Sequence, residues 1–278
     1  MIPSFVKRAK EKHGIEQQNF FSETAKAVEM LSSEFSAVPE PQKTVVLTEY
    51  ESNEQAEVKI VSSILYPNIH LPMTELVARV KKLSPEQRKK IINEYCMRRR
   101  NRRHKPGRAF ENTNYTFDIL GNYGMFRDIH RHRVLTQERQ LLSTKNGYDL
   151  PPELVESGFD DDFQGAMEVA KGAYDEISVK YPKEAQYVVP FAYKLRWYMT
   201  LNLREAYHFC ELRSMPQGHI DYRRVAQQMS LEIKRVHPNL AEHMKFVDMS
   251  EQGLERLEAE KKLDKKLDEI NKKYSKPI

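Results

Sequence analysis

Residues 127–140, "RDIHRHRVLTQERQ", bring Arg127, Arg131, His132, Arg133 and Arg139 into one short stretch. Guanidinium groups grip phosphate bidentately and stack on flat rings, and a neighbouring histidine can donate to a ring carbonyl or a phosphate. The stretch therefore reads either as a charged surface of a basic chain or as a site for a phosphorylated, planar ligand. A second group follows in "NLREAYHFCELR", where Asn202 can cap a helix whose polar face carries Arg204, His208 and Glu211. That face, too, is either solvated polarity or part of a site. No Gly-x-Gly-x-x-Gly follows a strand and no Walker-type loop is present, so a dinucleotide would have to be held by side chains.

The elements around these groups can be read from periodicity. Residues 1–40 are polar and helical and end at the Pro-marked "VPEPQ", which sets off an N-terminal helical extension over 1–42. "KTVVLTEY" and "AEVKIVSSILY", rich in β-branched residues, predict the two strands of a hairpin. Leu76, Val77, Val80 and Leu83 mark a helix, and Ser84-Pro85-Glu86-Gln87 opens the next with a capping box and a proline in its first turn. That helix runs into "RRRNRRHK", residues 98–105, a solvated cationic end or a contact for nucleic acid or cofactor. Tyr115, Phe117 and Ile119 alternate as on a half-buried strand; after a turn at 121–124, a short helix sends Met125, Phe126 and Ile129 inward and leaves Arg131-His132-Arg133 at its end.

The last third reads as mostly helical. Asn202 caps a helix with Leu203, Ala206, Tyr207 and Cys210 on its apolar side and Glu205 placed to complete the cap. Tyr222, Val225, Ala226, Met229 and Ile233 mark another helix that stops before Pro238. Tyr193, Trp197, Tyr198 and Tyr207 read as core. From Ser250 a charged helix carries Leu254, Leu257, Leu263, Leu267 and Ile270, so the chain divides into 1–42, a central domain over 43–248 and a terminal helix over 249–278.

Composition narrows the function classes. With 278 residues, 40% hydrophobic and 31% charged, the chain is long enough for a sizeable core, and no apolar run approaches the roughly 20 residues of a membrane span. Nothing in "MIPSFVKRAKEKHG" resembles the apolar core of a signal peptide, and the two cysteines, Cys96 and Cys210, form no Cys-x-x-Cys pair, so a reducing cytoplasm and no structural metal are expected. Between Tyr95 and Arg139 eleven Lys or Arg face four Asp or Glu, more than the whole net charge of +5. The partner suggested is anionic: a nucleotide, a phosphate-bearing cofactor or nucleic acid.

Taken together, "PGRAFENTNYTFDILGNYGMFRDIHRHR" and the later "NLREAYHFCELRSMPQGHIDYR" resemble the flavin-dependent thymidylate synthases over roughly residues 43–240. The resemblance implies an α+β fold, a twisted, largely antiparallel sheet packed by helices, in a homotetramer with sites between subunits. It also implies transfer of a methylene from methylenetetrahydrofolate to dUMP, with hydride from a reduced FAD that NADPH recharges. By position, Arg108, Arg131, His132, Arg133, Asn202, Arg204 and His208 would contact the flavin. Asp128, Arg131, Arg139 and Arg213 would contact the nucleotide, and Arg213 would be catalytic, stabilising negative charge on the uracil.

The departures cluster. Leu141 and Ser143 stand where the family has a nucleotide-binding Ser and Arg, Gln186 replaces a further nucleotide-binding Arg, the family's Glu-His is Glu111-Asn112, and His208 replaces an Asn. Flavin positions mostly keep a donor; phosphate positions mostly do not. Arg139 and Arg127 are expected to compensate. Three readings follow: a dUMP-methylating synthase, a flavoprotein acting on another nucleotide or a nucleic-acid uridine, and a non-catalytic nucleic-acid binder using 98–105 and 131–139 as one basic face.

Overall fold

The computed structural model describes residues 3–8, 10–35, 43–251 and 256–274. The chain divides into two compact units, Met1–Gln42 and Lys43–Ile278. The first holds helices α1 (Pro3–Arg8) and α2 (Glu11–Ser32); the "VPEPQ" boundary lies outside the described residues.

The second unit is α+β. Its sheet contains β1 (Val45–Tyr50), β2 (Asn114–Asn122), β3 (Thr136–Arg139) and β4 (Lys194–Asn202) in the order β1-β2-β4-β3, every neighbouring pair antiparallel. The long β2–β4 ladder runs in register from Asn114↔Asn202 to Asn122↔Lys194. Period-two alternation buries Tyr115, Phe117 and Ile119 of β2 and Leu195, Trp197, Met199 and Leu201 of β4 in the core. β3 and β4 are absent from the sequence-based reading, although the β4 alternation is a strand signal as clear as that of β2. The same alternation corrects Tyr198: placed between buried Trp197 and Met199, it projects from the opposite face and is 42% exposed.

The helices of this unit are α3 (Asn53–Leu65), α4 (Met73–Val80), α5 (Pro85–Cys96), α6 (Tyr123–Ile129), α7 (Pro152–Glu156), α8 (Asp160–Ser178), α9 (Leu203–Arg213), α10 (Ile220–Val236), α11 (Pro238–Ala241) and α12 (Arg256–Tyr274). α3 overturns the expected hairpin. Ser52 accepts from the Gln55 backbone N–H while the Gln55 side chain accepts from the Ser52 N–H, a complete capping box that starts a helix where a strand was expected. Ala56, Val58, Ile60 and Val61 are then buried against the core, which outweighs the modest strand preference of their β-branched members. The box read at Ser84 is present as anticipated and starts α5. In α12, Leu263, Leu267 and Ile270 are exposed, while Leu254 and the side chain of Leu257 lie outside what is described.

Cys96 and Cys210 are both buried and unpaired. Burial pushes the Cys96 thiol up to about 12 and raises Cys210 as well, so both are poor nucleophiles. No helix among the described residues is long and apolar enough to cross a membrane.

One buried histidine ties β1 and β2 to α10. His237 Nε2–H donates to the Glu51 carbonyl at 3.0 Å, which leaves Nδ1 to accept from the Tyr115 hydroxyl at 2.7 Å. Burial lowers the pKa of His237, and likewise those of His208 and His243. A histidine whose folded pKa is depressed binds more protons unfolded than folded. Its stabilising contribution is therefore complete above its ordinary value of about 6.5 and is lost as pH falls through the folded value. The urea midpoint should accordingly be lower at about pH 5 than at about pH 7.5; an unchanged midpoint would show that these histidines charge freely in the native state.

Candidate functional site

Two strands end in an asparagine that caps the helix after it. Asn122 Oδ1 accepts from the Met125 N–H and starts α6; Asn202 Oδ1 accepts from the Glu205 N–H and starts α9. Because β2 and β4 are antiparallel, the two helices set out from opposite ends of the sheet, and their C-terminal ends meet. The meeting point is Arg213, whose Nη2–H donates to the Asp128 carbonyl in the last turn of α6 at 2.7 Å. A cation here also faces the negative end of the α6 dipole.

His132 occupies the centre. Arg213 Nε–H donates to His132 Nε2 at 2.8 Å, and His132 Nδ1 bonds Glu205 Oε1 at 3.0 Å. The His132 ring packs edge-on against Phe209 with centroids 4.9 Å apart and lies 5.6 Å from the ring of His208. Arg213 lies over the Tyr222 ring at 5.6 Å, and burial pulls its guanidinium below the ordinary arginine value. The close approach needs Gly218, since a Cβ there would sit 2.5 Å from the Tyr222 ring. Arg131 pairs with the Asp128 carboxylate and is largely exposed. Beside it, Gly124, Arg127, Asp128, His130, Arg131 and Phe191 line a cavity of about 450 Å³, with Arg127 stacked over Phe191 at 4.7 Å.

A second cluster lies at the start of α9. Arg204 donates to the Pro106 carbonyl at 2.8 Å and to Glu111 at 3.2 Å, and the exposed Arg108 shares Glu111. His208, on α9, lies beside the first cluster. Burial is the main cause of its lowered pKa; Glu205 opposes the shift, and the charges of Lys105 and Arg102 reinforce it. His208 is therefore neutral at pH 7 and keeps both a donor and an acceptor. His132, Glu205 and His208 also bring one ligand-capable atom each within 4.8 Å of one another. The surrounding cations Arg213, Arg102 and Lys105 oppose a divalent ion there.

Glu211 corrects the expected polar face of α9. It is 1% exposed and binds Arg99 through both oxygens, at 2.9 and 2.5 Å. Arg99 also donates to the carbonyls of His104 and His243 and lies over the Tyr207 ring at 4.9 Å. The basic run 98–105 is therefore no uniform solvated helix end: α5 stops at Cys96, Arg98 pairs with Glu94, and Arg99 pins the loop beside His208.

Of the sequence-derived site residues, Asp128, Arg131, His132 and Arg213 converge, with His208 alongside. Arg108 and Arg204 form the neighbouring cluster. Asn202 is engaged as a helix cap, and Arg133 is exposed. Arg139 stands elsewhere, on β3, and donates to Gln186 Oε1 at 3.3 Å and to the Gln140 carbonyl at 2.9 Å. With Asp118, Glu138, Arg196 and Tyr198 it lines a shallower cavity of about 270 Å³. Sequence reasoning assigned Glu205 only to the cap and used Tyr222 only to mark a helix; their partners His132 and Arg213 come from other elements, and no spacing in the sequence displays those contacts.

The chain spans about half the length of the curated relatives it matches first. A UPF0159 protein of Chlamydia muridarum is 37% identical over 262 residues, covering 94% of this chain and 50% of that protein. A flavin-dependent thymidylate synthase of Clostridium tetani is 26% identical over 220 residues, covering 70% of this chain and 84% of that protein. The fold is shared with a solved structure, the UMP/dUMP methylase PolB of Streptomyces cacaoi bound with 5-Br dUMP. The TM-score is 0.55 at 18% identity, covering 72% of this chain and 93% of that one. The family model for thymidylate synthase complementing protein matches residues 46–239, from the second residue of β1 to the start of α11, and so takes in both Asn-capped helices and every residue around His132. The chain belongs to the thymidylate synthase complementing protein family.

Proposed function

We propose that this chain carries the site of a flavin-dependent enzyme that methylates dUMP to dTMP with methylenetetrahydrofolate and NADPH. The observation that carries the reading is Arg213, half-buried and held at two points beside a cationic cavity, within a chain of this family. The donor set suits a phosphate-bearing flavin. Arg108, Arg131 and Arg133 are exposed guanidinium groups, and neutral His208 can donate to or accept from a ring edge. These residues, with Arg204 and Asn202 at the start of α9, would hold FAD, which when reduced supplies the hydride that completes the methyl group.

What the chain itself supplies is orientation and charge. An arginine facing the carbonyl edge of uracil favours the negative charge that develops as C5 attacks the methylene carbon. In Arg213, Nε is given to His132 and one Nη2 donor to Asp128, and the guanidinium also bonds the Tyr222 side chain, so the uracil edge would be met by the Nη donors that remain. The Tyr222 ring covers the Arg213 guanidinium, and Phe209 packs against its partner His132.

The phosphate end differs from the family pattern. Gln186 stands where the family has an arginine, and Arg139 reaches that side chain from 47 residues away. Arg139 thus stands beside the residue that replaces the lost cation, in the β3 cavity and apart from Arg213, which makes it this chain's candidate for the compensating phosphate contact. Arg139→Ala should weaken dUMP binding about tenfold or more in calorimetry, with deoxyuridine bound equally by both proteins; equal dUMP affinities would remove Arg139 from the site.

The alternative acceptor is favoured by Leu141 and Ser143, which lack the contacts the family uses for dUMP. Incubation with FAD, NADPH and methylenetetrahydrofolate, with dUMP or UMP as the acceptor, separates the readings by chromatography. dTMP formation supports the synthase, methylation of UMP alone moves the acceptor, and no product from either contradicts both the synthase and a UMP acceptor.

A further inference from the structure

We propose that Glu205 and His132 are positioning residues: together they fix the orientation of the Arg213 guanidinium through a directed chain of hydrogen bonds. The direction is set by donor chemistry. Arginine Nε–H can only donate, so His132 Nε2 must be the acceptor, at 2.8 Å. The single proton of the neutral ring must then sit on Nδ1, where it faces Glu205 Oε1 at 3.0 Å. Glu205 closes the chain as the acceptor. Reversing any one step would leave two lone pairs or two protons facing each other.

The chain is enclosed. The side chains of His132 and Glu205 are 6% and 11% exposed, so water does not readily replace either partner. Glu205 and Arg213 both belong to α9, two turns apart, whereas His132 comes from the segment after α6; the chain therefore locks the end of one helix to the other. Phe209 holds the His132 ring edge-on, and the Asp128 carbonyl holds the second edge of the guanidinium.

With both nitrogens occupied, His132 has no donor left for a ligand ring. It serves the site through Arg213 instead. Without Glu205, the imidazole can change tautomer and present an N–H to Arg213, which would turn the guanidinium away. The consequence for ligand rests on the functional reading above; the hydrogen-bond chain itself does not.

Two measurements keep the two claims apart. In protein labelled with 15N-histidine, long-range 1H–15N correlation reports the His132 tautomer, and 15N-arginine labelling reports protection of the Arg213 Nε–H. The wild-type protein should show the Nδ1–H tautomer and a protected Arg213 signal. Glu205→Ala should shift or mix the tautomer and lose the protection, while Glu205→Gln, whose amide oxygen can still accept, should retain both. In calorimetry dUMP binding should weaken about 10- to 100-fold in Glu205→Ala and recover most of that loss in Glu205→Gln, as for other supporting contacts behind a binding group.

An Nε2–H tautomer in the wild type, or an unchanged tautomer and unchanged protection in Glu205→Ala, would overturn the proposal. If Glu205→Ala does not fold, the wild-type tautomer and the behaviour of Glu205→Gln still decide it. If the wild type binds no dUMP while the tautomer result holds, the functional reading fails and the positioning chain stands.

Discussion

Arg213→Ala should reduce dUMP-dependent methyl transfer by about 10² to 10³-fold while leaving bound flavin in place, because what is removed is charge stabilisation that grows in the transition state. Arg213→Lys should rescue little. A lysine ammonium cannot donate at once to His132 Nε2 and to the Asp128 carbonyl, as Arg213 does at 2.8 and 2.7 Å, and still present a planar edge to uracil. The distinguishing readout is kcat set against FAD affinity. If the alanine variant loses flavin and turnover in parallel, Arg213 holds the cofactor and does not act on the pyrimidine. Unchanged turnover in either variant would remove it from the chemistry.

The largest effect on stability should come from Glu211→Ala. Glu211 and the Arg99 side chain are 1% and 6% exposed, and the pair is bidentate. Burial raises the Glu211 pKa, and the Arg99 guanidinium beside it opposes that rise. Removing the carboxylate leaves a buried guanidinium with no counter-charge, only carbonyls and aromatic rings, a change that typically costs about 3–5 kcal/mol, or a fall in Tm of roughly 6–20 °C for a domain of this size. Arg99→Met with Glu211→Leu should cost far less, since no unpaired charge remains. Thermal unfolding of the single and double variants decides the matter: a single variant within about 1 kcal/mol of wild type would mean that the pair is hydrated in solution. Because Arg99 also holds the His104 carbonyl, Glu211→Ala should in addition loosen the loop beside His208.

How much of this was legible in the residues follows from the range of each interaction. The caps at Asn202 and Ser84, the buried faces of α6, α9 and α10 and the alternation in β2 are local, and the sequence displays them. The capping box at Ser52–Gln55 was equally local, but a run of β-branched residues obscured it, and α3 was misread as a strand. β4 carries the same alternation as β2 and was hidden by an expectation of continuous helix. Glu211 could not have been placed by spacing, because its partner Arg99 is 112 residues away and only the packed fold shows that the pair is buried. The same holds for Glu205, whose backbone serves the cap while its carboxylate serves His132, 73 residues away. The encounter of Arg139 with Gln186 is also a property of the fold, through the β3–β4 pairing and the segment that precedes β4.

The central claim is that this site joins a flavin to a pyrimidine nucleotide, and the visible flavin spectrum tests it most directly. Protein loaded with FAD and reduced anaerobically with NADPH should remain reduced on addition of methylenetetrahydrofolate alone. The oxidised band should return when dUMP is added and should not return in Arg213→Ala. Reoxidation that proceeds equally without any nucleotide, or protein that binds no flavin, would contradict the account.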